Sequence, residues 1–363
     1  MKSNTKSNLI ILVLIFAFLP SIFNNSSYII GTNKNLSYND DFNSNVDILQ
    51  PSKISGQIHI NNNWTTAKIA GICTGNGTYS EPYVIEDLEI NSGESGTCIL
   101  IENSDVYFKI ENCTLTAGFP YPNSGIHLNN VIEGYLVINY CIFSANGFYL
   151  ENCNNITMSG NIANNNGYGF YLENCNNITM SGNIANNNGY GIKLDNCNNN
   201  IISGNIVSNN TNWGIYLHIN CYDNVISGNI VNSNSLGIYL GLSHNNIISG
   251  NTANNNDRGL FFSYSDFNII SGNTANNNDR GIYLSYSDFN IVSGNTLIGN
   301  NECISEERCQ GNSFSNNGDC TYDQVSTPLI SGYSLIFLFS TLSIIVIIIY
   351  IKKKNFEIKD NCT

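Results

Sequence analysis

The sequence predicts an all-β fold, a parallel β-helix whose coils are about 22 residues long. The first observation is a repeat. Ser-Gly-Asn begins at Ser159, Ser181, Ser203, Ser227, Ser249, Ser271 and Ser293, with spacings of 22, 22, 24, 22, 22 and 22. The second is alternation within each repeat. In Gly169-Phe170-Tyr171-Leu172, Gly237-Ile238-Tyr239-Leu240 and Gly281-Ile282-Tyr283-Leu284, two apolar residues flank an aromatic one. That is a strand of period two. The third is the lack of any long apolar stripe of period 3.6, which excludes a solenoid of paired helices.

Each repeat also offers shorter strands. One precedes Ser-Gly-Asn, as in Ile178-Thr179-Met180 and Asn246-Ile247-Ile248. Another follows it, as in Ile162-Ala163, Ile230-Val231 and Thr252-Ala253. Asn, Gly and Ser clusters between them supply turns and left-handed conformations. Tyr149 to Tyr168 is identical in sequence to Tyr171 to Tyr190, so whole coils have been duplicated.

The N-terminus reads as a secretory signal over residues 1–27. Lys2 and Lys6 precede an apolar run from Leu9 to Leu19, and Pro20, Ser21, Ser26 and Ser27 follow. Residues 28–50 are a polar spacer. Residues 51–124 depart from the repeat and form capping coils, since a solenoid end otherwise exposes its interior. Regular coils run over 125–300, beginning at Gly125-Ile126-His127-Leu128. Residues 301–328, with Cys303, Cys309 and Cys320, form a stalk. Residues 329–351 carry no formal charge and are long enough to span a bilayer. Lys352, Lys353 and Lys354 follow, and the positive-inside rule puts the tail 352–363 in the cytoplasm and the β-helix outside.

The chain has 14 basic and 27 acidic residues, a net charge of −13. That balance, without a basic patch, excludes a nucleic-acid partner. Only 11% of residues are charged, so Asn, Ser and Tyr solvate the repeats, as in exported solenoids.

The segment Gly75-Asn76-Gly77-Thr78 to Pro82-Tyr83-Val84-Ile85, followed by Asn-x-Ile-x-Gly-Asn coils, resembles the right-handed parallel β-helix proteins grouped with the NosD-type periplasmic copper-binding family. Many archaeal surface proteins look alike. The resemblance covers residues 54–300. It implies the right hand of the helix. It is specific for fold and weak for function, because the same coil pattern is similar to carbohydrate-binding and sugar-hydrolysing domains.

Four sets of residues carry the functional expectations. Tyr149, Tyr171, Tyr216, Tyr239, Phe261 and Tyr283 share one column, interrupted by Lys193, and point outward if their apolar neighbours point in. One ring every ~4.8 Å makes a stripe on which sugar rings can stack. The same column also serves as cross-strand pairs, worth roughly 0.2–1 kcal/mol each. Cys153, Cys175, Cys197 and Cys221 form a second column, continued by Ser243, Ser265 and Ser287. Four sulfurs suit copper(I), and an internal stack of small side chains suits the spacing equally. Asp257, Asp279, Asp266 and Asp288 stack in pairs that could serve glycoside hydrolysis, but duplication explains their spacing, and no Asn-Thr-Asp or Gly-His-Gly of the polygalacturonases occurs. His59, His127, His218 and His244 share no column. Glycosylation sequons stand at Asn63, Asn76, Asn112, Asn155, Asn177 and Asn209, with Asn112, Asn155 and Asn177 expected close to the core.

These readings point to a membrane-anchored extracellular β-helix protein with a binding or scaffolding role, an extended polysaccharide being the ligand that suits the aromatic column. The alternatives are a carbohydrate-active enzyme and a copper-handling accessory protein. No catalytic residue, metal ligand or cofactor is assigned.

Overall fold

The computed structural model describes residues 52–54, 57–93, 96–119 and 122–318. The expected signal, the spacer, the apolar stretch 329–351 and the basic tail lie outside the described residues. The chain divides into two units, Met1–Leu49 and Gln50–Thr363, and the description below concerns the second. Among the described residues, no helix is long and apolar enough to cross a membrane.

The unit is a right-handed parallel β-solenoid of about 10 coils. Each coil contributes to three parallel sheets. Sheet I holds the longest strands, such as Tyr168–Glu173 and Tyr190–Asp195. Sheet II holds those before each Ser-Gly, such as Thr179–Ser181. Sheet III holds Ile162–Asn164 and Ile184–Asn186, then continues as single bridges from Ile206 to Thr296.

Register follows the repeat. Phe148 pairs with Phe170 and Phe170 with Ile192, and Leu150, Leu172 and Leu194 pair likewise. All six are fully buried. Burying one such side chain stabilises by roughly 1.5–3 kcal/mol, so like-on-like apolar columns hold the coils in register. The coil with the longer spacing takes one extra residue at each of two corners. Asn188 bonds Asn210, 22 positions on, yet Ile192 pairs with Ile215 and Asp195 with His218. Asn200 then bonds Asn224, 24 positions on.

Three corner columns bury asparagine, the third only from Asn200 on, with Ile156 and Ile178 standing before it. In the Ser-Gly-Asn column, Nδ2 of Asn183 donates to the carbonyl of Met158 at 3.0 Å and to Oδ1 of Asn205 at 2.9 Å. The Asn183 backbone N–H donates to the same oxygen at 2.9 Å. Two further ladders repeat this pattern, one through Asn188 and Asn210 and one through Asn200 and Asn224. Such a ladder satisfies buried backbone where the chain turns. The glycine of Ser-Gly-Asn is left-handed, with φ between 62° and 65° from Gly160 to Gly294. Only glycine adopts that conformation without steric cost.

The first coils are longer. Ile58 pairs with Ile99 and Ile99 with Ile126. The extra chain includes a short helix, α1, Trp64–Ile69. Trp64 stacks on Tyr83 and Phe108 at 5.0 and 5.3 Å and donates to Ser104 at 2.8 Å. A large buried ring thus packs over the first rungs. At the other end, Glu302–Glu307 and Ser313–Ser315 still pair with the coil before them, so the expected stalk begins as a further coil. The six sequon asparagines are all exposed. Asn112, Asn155 and Asn177 are therefore not close to the core, because each occupies a left-handed corner, with φ of 52°, 54° and 54°, that turns its side chain out.

Candidate functional site

The outer face of sheet I brings together the residues of chemical interest. Its central column is the aromatic one. Tyr149 and Tyr171 stack with centroids 5.0 Å apart, Tyr216 and Tyr239 at 4.8 Å, Tyr239 and Phe261 at 4.8 Å, and Phe261 and Tyr283 at 5.0 Å. Their planes lie within 13° of parallel. The spacing matches that of the strands, so each ring lies across the solenoid axis and covers its neighbour's face. The column does not offer ring faces to a sugar. It offers edges and hydroxyls, and all of its members but Tyr239 are at most 9% exposed. Burial pushes the Tyr216 and Tyr239 hydroxyls up from their usual range.

Lys193 fills the gap between Tyr171 and Tyr216. Its ammonium lies 4.5 Å from the Tyr171 ring centre and 3.5 Å from Asp195. Further along, Arg258 covers Phe261 at 4.5 Å and Arg280 covers Tyr283 at 4.3 Å. The ladder is therefore a packed floor held by cation–π contacts.

A second aromatic column, which sequence alternation would send inward, flanks this floor. Tyr168 lies two residues before the buried Phe170, yet it stacks on Tyr171 at 5.3 Å. The strand turns at Gly169. A Cβ there would lie 2.6 Å from the Gly191 carbonyl oxygen and 3.2 Å from Ala185. The chain can pass only without a side chain, and the residue before it swings out. Tyr168, Tyr190 and Trp213 follow one another in this column, each half-buried.

Trp213 differs from every other ring on the face. It meets Tyr190 at 74°, Tyr216 at 74° and Tyr239 at 77°, with centroids 5.2, 4.2 and 5.2 Å away. Because the tyrosine planes lie across the axis, the indole plane runs along it. The indole thus lies against the ring edges of Tyr216 and Tyr239 and meets Tyr190 edge to face, and it is half-buried. The extra residue between Asn210 and Ile215 enters in this coil.

The third column is acidic. Glu151, Glu173, Asp195 and His218 pair in register on adjacent strands. Glu173 Oε2 accepts from Tyr149 at 2.8 Å and from Tyr171 at 3.2 Å. Asp195 Oδ2 lies 3.1 Å from His218 Nδ1. Glu151 lies 3.8 Å from His127 Nε2. Burial holds the His127 imidazole down at about 4, and burial with the Glu173 charge raises the Glu151 carboxyl. Beyond His218 the column becomes Gly241, Ser263 and Ser285 and then Glu307, which accepts from the Tyr283 hydroxyl, so acids recur at the far end of the face. The histidines are less scattered than expected, since His59 and His127 share one column across Leu100.

The remaining candidates have structural partners. Cys153, Cys175, Cys197 and Cys221 are buried, and each Sγ–H reaches carbonyl oxygens; Cys175, for example, meets Leu150 at 3.4 Å and Glu173 at 3.2 Å. Ser243 does the same to Leu217 and Gly241, which explains why serine replaces cysteine there. Asp266 accepts the backbone N–H of Asp288, and Asp288 that of Gln310. Asp257 accepts from Ser235 and Asp279 from Asn301. These carboxylates hold turns.

Residues 52–194 and 124–258 match the right handed beta helix region, and residues 218–319 match the periplasmic copper-binding protein NosD. No curated protein matches the chain. The fold is similar to the A-module of the mannuronan C-5 epimerase AlgE6 of Azotobacter vinelandii, with a TM-score of 0.51 and 15% identity over 68% of this chain and 86% of that one. It is similar to the Dettilon tailspike protein gp208, with a TM-score of 0.58 and 16% identity over 72% of this chain and 60% of that one. It is also similar to the DFA-IIIase of Arthrobacter chlorophenolicus A6 without its lid, with a TM-score of 0.56 and 12% identity over 73% and 81%.

The cysteine column does not suit the copper in the NosD name. Its sulfurs stack one per coil inside the core, and each Sγ–H is directed at backbone carbonyls, as Cys175 is at Leu150 and Glu173 and Cys197 at Leu172 and Asp195. Among the described residues, no group of three or more His, Cys, Asp or Glu is placed to hold a metal. The period, the three parallel sheets and the matched segments agree: this chain belongs to the right-handed β-helix repeat proteins of the NosD type.

Proposed function

We propose that this chain is an exported, membrane-anchored β-helix protein that binds an extended polysaccharide along the outer face of sheet I. The observation that carries the reading is the orientation of Trp213, whose indole lies lengthwise over Tyr216 and Tyr239. A pyranose stacks its C–H face on such a surface, and a polymer running along the axis continues over successive coils. Tyr149, Tyr171, Tyr216, Tyr239, Phe261 and Tyr283 form the floor. Tyr168 and Tyr190 form one wall, and Glu151, Glu173 and Asp195 the other. Few precisely placed polar groups beside aromatic surface are what sugar sites need for orientation.

Export rests on residues 1–27 and anchoring on residues 329–351, with Lys352 to Lys354 on the cytoplasmic side. The coils up to residue 124 close one end, those over 125–300 present the face, and the segment up to 328 sets it off from the membrane.

A glycan array with the detergent-solubilised full chain tests the ligand. Binding by the wild type and its loss in Trp213→Ala, with the β-sheet spectrum unchanged, supports the reading. Equal binding by both removes it. Protease added to intact cells tests the anchor: the repeats should be cut and the tail after Lys354 protected.

A further inference from the structure

The polysaccharide reading leaves the ligand's charge open, and the face itself bears on it. Between His127 and His218 the outer face of sheet I carries three carboxylates, Glu151, Glu173 and Asp195. The formal cation among them is Lys193, which lies 3.5 Å from Asp195 and over the Tyr171 ring. It is therefore already engaged beside one carboxylate and one π face. His127 adds no charge near neutral pH, because burial holds it neutral. Arg258 and Arg280 sit several coils away over Phe261 and Tyr283, and Arg280 also pairs with Glu302 at 2.9 Å.

Glu151 and Glu173 face one another across a strand pair without a cation of their own. Glu173 takes hydroxyl hydrogen bonds from two tyrosines, whereas Glu151 has only His127 at 3.8 Å, too long for a hydrogen bond. Independently of the acids, Nε2 of His127 is buried without a hydrogen-bond partner. A buried nitrogen of that kind costs free energy until something pairs with it. Points 3.8 Å apart leave room for one nitrogen at hydrogen-bond distance from both, about 2.9 Å. A primary ammonium carries a donor for the Glu151 oxygen and a charge that answers the Glu151–Glu173 pair, and the tautomer of His127 with its proton on Nδ1 would let Nε2 accept a second donor.

We infer that the polysaccharide bound on this face bears free amines, as a polymer of unacetylated hexosamine does, and that polyuronates are disfavoured. The inference rests on the polysaccharide reading above. A polymer lying along the axis over Trp213 meets the acidic column on one side, with carboxylates repeating about every 4.8 Å. An amine on each sugar finds a carboxylate within reach. A carboxylate on each sugar meets like charge along the same line.

The experiment titrates the full-length solubilised protein with three probes at low salt: glucosamine oligomers, the same oligomers fully N-acetylated, and oligomannuronate. The glucosamine oligomer should bind at least about tenfold more tightly than its acetylated form, since each half-exposed charge pair contributes up to about 1 kcal/mol, and oligomannuronate should bind weakest. The preference should shrink several-fold at about 0.5 M salt, as screened charge pairs do. Glu151→Gln/Glu173→Gln keeps an acceptor for the two tyrosines and should bring the amine and acetylated forms to parity. The salt titration needs no variant, so it holds even if the double substitution disturbs the coils. Tighter binding of oligomannuronate or of the acetylated form overturns this inference alone. Failure of all three to bind overturns the polysaccharide reading and this inference with it.

Discussion

Asn205 and Asn229 lie 24 residues apart in sequence and are joined side by side in the core, with Nδ2 of Asn205 donating to Oδ1 of Asn229 at 2.9 Å. The same Nδ2 donates to the Met180 carbonyl at 3.1 Å, and the Asn205 backbone N–H donates to Asn229 Oδ1 at 2.9 Å. The coil between them carries the two extra residues, so the ladder passes the one break in the repeat without interruption. Replacing Asn205 with Leu leaves the Asn183 N–H buried without a partner and removes the side-chain bond to the Met180 carbonyl, which keeps its place in the parallel ladder with the Ser203 strand. Each unpaired group costs about 1–3 kcal/mol. We expect Asn205→Leu to destabilise by about 2–3 kcal/mol in denaturant melts, more than a change at the exposed Asn209. An effect below about 1 kcal/mol would mean that apolar stacking alone holds the coils.

A second prediction concerns residues placed against their backbone preference. Asn155, Asn177, Asn199 and Asn245 occupy a corner with φ from 54° to 58°. In the last coils Phe267 and Phe289 stand there instead, with φ of 57° and 55°, and are 55% and 53% exposed. A bulky residue in the left-handed region costs roughly 1–2 kcal/mol, and the Phe267–Phe289 stack, with centroids 5.3 Å apart, offsets part of it. Phe289→Asn should raise the melting temperature by a few degrees. A fall would show that the stack outweighs the backbone strain.

How far the sequence carried these conclusions differs from column to column. The Ser-Gly-Asn period fixes coil length because identical columns must stack, and the Phe/Ile and Leu positions of sheet I were readable as its core face. The ring-on-ring packing of Tyr216 and Tyr239 was not readable, since alternation gives the side of the sheet and not the plane of the ring. Trp213 escaped for a different reason. Strict alternation places it with Ile215, inside, and only the close packing at Gly214, where a Cβ would lie 2.4 Å from Val231, forces the strand to turn. The acidic column was readable in principle, because Glu151, Glu173 and Asp195 each follow an inward Leu, but it stood out only once register set the three side by side.

The pH dependence of stability should report His127. An unfolded histidine takes its proton near pH 6.5, whereas this one resists down to about 4. Between those values the unfolded chain binds more protons, so this contribution grows as pH rises through the window and is complete above it. Its size is about 3 kcal/mol at most. Glu151 acts in the opposite sense just above the usual carboxylate range, because its folded carboxyl is raised. His127→Phe keeps a ring to stack on Tyr149, now 4.5 Å away, and removes the proton. The variant should lose much less stability than the wild type between pH 6.5 and 4. Parallel stability curves for the two proteins would show that the imidazole is not held neutral.

The last prediction separates the floor of the face from its binding surface. Tyr216, Tyr239 and Tyr283 belong to one stack, and their rings cover one another and Phe261. Replacing all three with Ser removes stacking contacts worth about 0.5–1.5 kcal/mol each beyond the area they bury, so the triple variant should melt markedly earlier. It should also lose glycan binding, because Trp213 then has no edges beneath it. Trp213→Ala leaves the stack in place and removes three edge contacts, so its melting point should fall less than that of the triple variant while binding disappears. Lys193→Tyr completes the stack between Tyr171 and Tyr216, so it should raise stability without creating a second indole-like surface, and affinity should change little. If Lys193→Tyr strengthens binding as much as Trp213→Ala weakens it, the ladder itself contacts the sugar. If Trp213→Ala binds normally, the indole is only a lid on two tyrosines, and the face must be read without it.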